Sequence, residues 1–412
     1  MKHIVFILGS YYPNCSAVGK CIGNLAECLG TSYRVTVISI YTSCEEQSIE
    51  KFKGQMLHRV KTKELVLRLK LKNVKNKFSK FCLQGLRGYS FLKVIFSNVT
   101  FNENLVKAYL SELNSIKEPI DIIIPTCSPM ESTIAALRFK KNADYRVKVF
   151  PILFDLFAAN ARLNRFEWNK KLKFSKNKKI EKSILEQSDW VFFVHNWEDY
   201  LKKNFKELMD YTTEIEHPLM KLPSKKLIND SEHDAYAIVY TGTIDLINRN
   251  PKFALDILTK ISREIPIRVK IFSFGTAQSI VHQYAGKYPK VIVEFGQVNT
   301  ECASAERNKA NFLLSIGNKD TKQLPSKIFE YIATGKPIIH FAYSHNDPTI
   351  NVLKKYRLSI VIEKGQIDDN KMKELKCFIK KYNRCFVSFE EIRKKYIEAL
   401  PETVCSKLGR HF

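Results

Sequence analysis

Residues 3–8, His-Ile-Val-Phe-Ile-Leu, form an unbroken apolar run, the pattern of a strand covered on both faces. A polar loop follows over 9–16. Ile22, Leu25, Ala26 and Leu29 then fall on one side of a helix over 18–29, which Gly30 closes, and residues 34–40 return to a strand pattern. Strand, loop, helix and second strand in that order open a parallel, doubly wound sheet, because the crossover lays its helix on one face. Further strands are expected at 120–125, 145–153 and 190–195, with helices at 102–116, 130–140 and 197–206. At Ala235 the pattern starts afresh, with strands at 235–241, 268–274, 291–295, 311–315 and 337–342 and helices at 251–264 and 325–334. The expected fold is therefore α/β, with two doubly wound Rossmann-like domains. A length of 412 residues with 45% hydrophobic composition accommodates two such cores. The expected division is a first domain over 1–218, a proline-bearing linker over 219–234 and a second domain over 235–390. A helical segment over 391–412 is expected to cross back to the first domain.

Sixty-seven Lys and Arg residues against 42 Asp and Glu leave a net charge of +25, which calls for an anionic partner. The excess is concentrated. Residues 51–95 hold thirteen basic residues and one acid, Glu64, interleaved with Leu65, Val66, Leu67, Leu69, Leu71, Val74, Phe78 and Phe81. A second basic block spans 165–182 and carries Trp168, Leu172 and Phe174. Two readings stay open: basic amphipathic stretches lying on an anionic membrane surface, or solvated helices that cover the domain. Nucleic acid is disfavoured, since no recognition motif accompanies the charge. Ten cysteines form no Cys-x-x-Cys pair and no His stands at ligand spacing, which speaks against zinc. Scattered cysteines, and an opening apolar run too short for a signal segment, fit a cytoplasmic chain. No apolar stretch approaches the roughly 18 residues that cross a bilayer.

Several phosphate motifs fail. Gly19-Lys20 resembles the end of a P-loop, but Asn14 stands where that motif needs glycine. No Gly-x-Gly-x-x-Gly follows a strand, and there is no Asp-x-Asp to hold a divalent cation on a nucleotide-sugar diphosphate. The informative segment is Gln-Leu-Pro-Ser-Lys-Ile-Phe-Glu-Tyr-Ile-Ala-Thr-Gly-Lys-Pro-Ile-Ile over 323–339. Pro325 suits the first position of a helix and Gly335 its end. That helix starts at the carboxyl end of the parallel sheet, where its first amides, from Ser326 and Lys327, can meet a diphosphate. Glu330 lies one turn on, about 6 Å along the axis, and can accept hydrogen bonds from a ribose diol. The alternative is an ordinary capped helix with Glu330 exposed.

The segment 325–339 resembles the signature of glycosyltransferase family 4 and its bacterial GT-B relatives, and the order of the two Rossmann-like halves matches as well. In that family a Glu-x₇-Glu pair frames the helix. Glu330 matches the second acid, which binds the ribose; Lys322 stands at the first, which contacts the donor sugar. A second match is Tyr-Thr-Gly-Thr-Ile-Asp-Leu-Ile-Asn-Arg-Asn-Pro over 240–251. Gly242 keeps the family glycine, Thr243 replaces an Arg, and Arg249 stands at a Lys position and supplies a cation for the diphosphate. In the first domain Asp155 remains of a His-Asp pair, with Phe154 in place of the His. Asp155 is read as orienting or deprotonating an acceptor hydroxyl, or else as binding loop amides. Gly19 matches a flexible loop near the diphosphate and acceptor. His195, ending a strand, reads first as a satisfied buried histidine.

The resemblance implies two doubly wound Rossmann-like domains facing across a cleft, and a retaining, metal-independent transferase. It would use a UDP- or GDP-sugar and no other cofactor, and act on a lipid-linked saccharide acceptor at the inner face of the cell membrane, in envelope polysaccharide synthesis. The alternatives are a sugar-nucleotide 2-epimerase of the same fold and a degenerate, non-catalytic ligand-binding relative.

Overall fold

The computed structural model describes residues 1–13, 15–43, 46–73, 76–96, 101–158, 167–222 and 235–412. Most of the expected linker (223–234), Asn14 of the first loop, and residues 74–75 and 165–166 of the basic blocks lie outside this set. Two compact units are formed: Met1–Pro218 together with Pro401–Phe412, and Leu219–Leu400.

In the first unit β1 (His3–Ile7), β2 (Arg34–Ile40), β3 (Ile49–Phe52), β4 (Gln55–Val60), β5 (Ile122–Pro125) and β6 (Lys148–Val149) make one sheet in the order β3-β4-β2-β1-β5-β6. All neighbours run parallel except β3, which folds back antiparallel on β4. This hairpin corrects the reading of 51–95 as one surface-lying basic stretch. Leu57 and Val60 are buried, and so is Arg59, whose guanidinium pairs with Glu46 and Glu50. The helices Lys63–Asn73 and Lys77–Phe96 carry the rest of the basic run.

The strand expected over 145–153 is broken. Pro151 has no N–H to donate to a ladder, and the chain changes partners there. The Phe150 amide donates to Ile123 at 2.9 Å, while the Pro151 carbonyl accepts from Phe192 at 2.9 Å. β7 (Ile152–Leu153) therefore begins a separate parallel sheet with β8 (Val191–Val194) and β9 (Thr212–Ile215). The terminal helix Pro401–Gly409 packs on the helix Ala17–Leu29, with the Cys405 thiol 3.8 Å from the Leu25 carbonyl and Phe412 stacked on Phe150.

The second unit is built on six parallel strands: β10 (Tyr236–Thr243), β11 (Ile267–Phe274), β12 (Ile292–Glu294), β13 (Phe312–Ile316), β14 (Ile338–Ala342) and β15 (Ser359–Glu363). Their spatial order is β12-β11-β10-β13-β14-β15. Numbered within the unit this is 3-2-1-4-5-6, the doubly wound order whose direction reverses between the first and fourth strands. The central strands are largely apolar and buried, as expected of a sheet covered on both faces. Ile238, Val269, Phe312, Leu314, Ile339 and Phe341 are buried with Leu255 and Leu258 of the helix Lys252–Ile261. Each such side chain contributes about 1.5–3 kcal/mol on leaving water.

Candidate functional site

In an open α/β sheet, ligands bind outside the carboxyl ends of the strands where the order reverses. In the second unit that point lies between β10 and β13, so the loops that matter are those leaving these two strands. They are tied to each other. The Asn248 carbonyl accepts from the Lys319 amide at 2.8 Å, and its side-chain oxygen accepts from the Asp320 amide at 2.8 Å. In return Arg249 donates from Nε and Nη2 to Asn318 Oδ1 at 2.9 and 2.7 Å. Asn318 is 3% exposed and donates from Nδ2 to the Gln323 carbonyl at 3.0 Å. Asp245 closes the first loop by accepting from the amides of Ile247 and Asn248. The result is a cross-linked pair of loops that presents a partly exposed guanidinium in a set orientation.

Gly242 and Thr243 end β10, and the Thr243 carbonyl accepts from the Tyr240 hydroxyl at 2.9 Å and from Arg249 Nη1 at 3.5 Å. Pro325 was expected at the first helical position but stands two residues before the helix Lys327–Ala333. Its carbonyl accepts from the Ile328 amide at 3.0 Å, so the segment enters the helix through a tight turn. Ser326 precedes the helix without a side-chain cap. Lys322 is exposed, and its amide donates to Asp320.

Glu330 is not the exposed side chain of an ordinary capped helix, since it is largely buried and paired. Its side chain is 14% exposed and meets Arg307 Nη2 at 3.3 Å, and the Arg307 side chain is itself 7% exposed. Arg307, on the helix Thr300–Lys309, also donates to the Thr241 hydroxyl at 3.3 Å, and the Tyr331 hydroxyl bridges the Thr241 amide and carbonyl. The helix bearing Glu330 is thus fastened to the end of β10. At the amino end of the strands, ahead of β13 and β14, Lys336 is buried and donates to the Ala310 carbonyl at 2.6 Å; burial pushes its ammonium down to about 8.

In the first unit the order reverses between β1 and β5. Gly19 lies in the first turn of the helix that follows β1, and its amide donates to Ser16 Oγ at 3.0 Å. A Cβ there would lie 2.4 Å from the Ser10 carbonyl oxygen, so the loop approaches the helix too closely for any other residue. Asp155 follows β7, partly buried, after a buried Phe154 whose ring is 5.8 Å from that of His217. In the loop that follows, the amides of Phe157 and Ala158 donate to Glu181 at 3.2 and 2.8 Å. Burial raises the Glu181 carboxyl. His195 corrects its sequence reading: it is exposed, because the chain turns into a short 3-10 helix there, and it bonds Glu214 at 2.9 Å.

Asn318, Asn248, Arg307 and Tyr331 were not found from sequence. Asn318 carried one usable signal, a Gly-Asn pair ending an apolar strand; Arg307 carried none.

No protein-family profile and no curated protein sequence matches the chain. Solved structures do. A sucrose-phosphate synthase from Thermosynechococcus elongatus matches with a TM-score of 0.63 at 13% identity, over 100% of this chain and 98% of that one. The catalytic domain of starch synthase IV from Arabidopsis thaliana gives 0.60 at 8%, over 100% and 98%. WaaG, a glycosyltransferase involved in lipopolysaccharide biosynthesis, gives 0.58 at 12%, over 98% and 99%. The structural neighbours are GT-B glycosyltransferases, and at these identities the likeness establishes the fold: the chain has the GT-B architecture of two Rossmann-like domains.

Proposed function

We propose that the chain is a glycosyltransferase that moves a sugar from a nucleotide-diphosphate sugar, UDP- or GDP-linked, with retention of configuration and without a metal ion. The observation that carries this reading is the presentation of Arg249 by Asn318 at the switch point of a GT-B second domain. The diphosphate sits against Arg249, Gly242, Thr243 and the entry to the helix at Pro325, Ser326 and Lys327. Glu330, oriented by Arg307, takes the ribose. As the glycosidic bond breaks, charge grows on the leaving diphosphate, and a guanidinium already in place stabilises it with little reorganisation. The acceptor is held by the first unit, with the Gly19 loop and Asp155 facing its hydroxyl. A neighbour solved with UDP and glucose (TM-score 0.54) and a lipopolysaccharide outer core galactosyltransferase (0.52) support this substrate class.

The acceptor is lipid-linked and the chain works on the cytoplasmic face of the cell membrane in envelope polysaccharide synthesis. The support is a surface of mixed character on the basic helices: Phe78 is 75% exposed and Phe81 73%, with Leu67, Tyr89 and Leu92 also exposed. Such side chains enter the headgroup region while Lys and Arg meet anionic lipid. The attachment proposed is peripheral; among the described residues no helix is long and apolar enough to cross a membrane.

Radiolabelled sugar nucleotides incubated with membrane lipid extract test the reaction. Label is expected to enter lipid, undiminished by excess EDTA. Abolition by EDTA with rescue by Mn²⁺ would contradict metal independence, and isomerised nucleotide without labelled lipid would identify an epimerase.

Anionic vesicles should pellet the chain, with release by salt. Each basic residue at such a surface contributes about 1 kcal/mol, so reversing Lys63, Lys70 and Lys80 to Glu should weaken partitioning at least about 100-fold. Equal binding to neutral and anionic vesicles would argue against an electrostatic anchor.

A further inference from the structure

Three polar side chains lie together among the apolar strands of the second unit. Ser315 of β13 and His340 of β14 are register partners, and the Ser315 hydroxyl and His340 Nδ1 are 2.9 Å apart. His340 Nε2 lies 3.1 Å from Asp347 Oδ2, and the other carboxylate oxygen caps the helix Pro348–Leu353 by accepting from the Thr349 amide at 2.8 Å. All three residues are buried, His340 completely. Burial alone would raise the Asp347 carboxyl, but its bonds with His340 and Thr349 hold it below its usual range. A fully satisfied buried network contributes little to stability compared with an apolar trio of the same shape. What it adds is position.

That position is next to the Arg249 anchor. Gly317, directly after β13, packs its Cα on the carboxylate: a Cβ there would lie 1.9 Å from Asp347 Oδ2. Its amide donates to the Phe341 carbonyl, adjacent to His340, at 2.9 Å. The next residue is Asn318, which holds Arg249.

We infer that Asp347, His340 and Ser315 form a positioning relay that sets the Gly317–Asn318 turn and, through it, the orientation of Arg249. Its effect on turnover rests on the role proposed above for Arg249; the mechanical link does not. None of the three residues is assigned a contact with substrate.

The test uses the full chain and two readouts. In hydrogen–deuterium exchange without ligand, His340→Phe, which keeps an aromatic ring but removes both nitrogens, should speed exchange over 317–326 about tenfold and leave β11 within twofold. Ser315→Ala, a smaller change, should do the same to a lesser degree. Asp347→Asn keeps the helix cap and the contact with Gly317 and should recover most of the wild-type protection.

In the transfer assay, His340→Phe should lower kcat about tenfold with KM within twofold. In an Arg249→Ala background it should cost less than a further twofold, since residues acting through one group are not additive. Unchanged exchange over 317–326, or losses that multiply in the double variant, would overturn the relay. A wild-type chain that transfers no sugar, with the exchange changes present, would overturn the proposed function and leave the relay standing.

Discussion

Arg249→Ala is expected to lower kcat by about 10²–10³, the usual effect of losing one preorganised charge donor at a developing anion. Donor binding should suffer less, because the negative charge on the diphosphate grows as the glycosidic bond breaks. The hydrogen bonds from Nε and Nη2 to Asn318 sharpen this expectation. They mean that the guanidinium is oriented before substrate arrives, so little ordering is left for the reaction itself. Arg249→Lys should recover part of the rate by restoring a cation. It should fall short of wild type, since an ammonium cannot hold Asn318 through two nitrogens while facing phosphate. Thr243→Arg should be tolerated, because Thr243 is exposed and offers its carbonyl rather than its side chain to Arg249. Steady-state kinetics at saturating acceptor decide the matter. A raised KM with intact kcat at position 249 would show that only uniform binding was lost and would remove Arg249 from the catalytic role.

For Glu330→Ala two losses are expected together. Nucleotide binding should weaken by about 1.5–3 kcal/mol, the scale of hydrogen bonds to a charged group, measured by calorimetry with UDP and GDP. The chain should also become less stable. From the sequence alone, little stability change would be expected, because a carboxylate serving only a ligand has no structural partner. The ion pair with Arg307 reverses that expectation: removing Glu330 strands a guanidinium whose side chain is 7% exposed. Breaking a buried pair in this way costs about 3–5 kcal/mol, and partial exposure of Glu330 places this one at or below the lower end. Glu330→Gln, which keeps an oxygen for Arg307, should restore much of the melting temperature while binding stays impaired. Unchanged nucleotide affinity in the folded Ala variant would show that the ribose site lies elsewhere.

What could be read in the sequence was whatever repeats locally. Strands buried on both faces are largely apolar runs, so most of the second unit's strands were placed to within two residues, and with them the two loops that carry Arg249 and Ser326. The first basic block was less legible. Arg59 counts as surface charge in a composition, yet it is buried between two carboxylates. Leu57 and Val60, on the edge hairpin, gave too short an alternation to stand out.

Tertiary structure decided which strands pair, including the change of sheet at Pro151. It also decided every contact that orients the site. Arg249 meets Asn318 across 69 positions, Glu330 meets Arg307 across 23, and Ser315 meets His340 across 25. A helix or strand imprints its period on neighbouring residues because their side chains share one backbone geometry. A hydrogen bond between side chains on different strands leaves no such imprint, since its partners become neighbours only after the sheet has assembled.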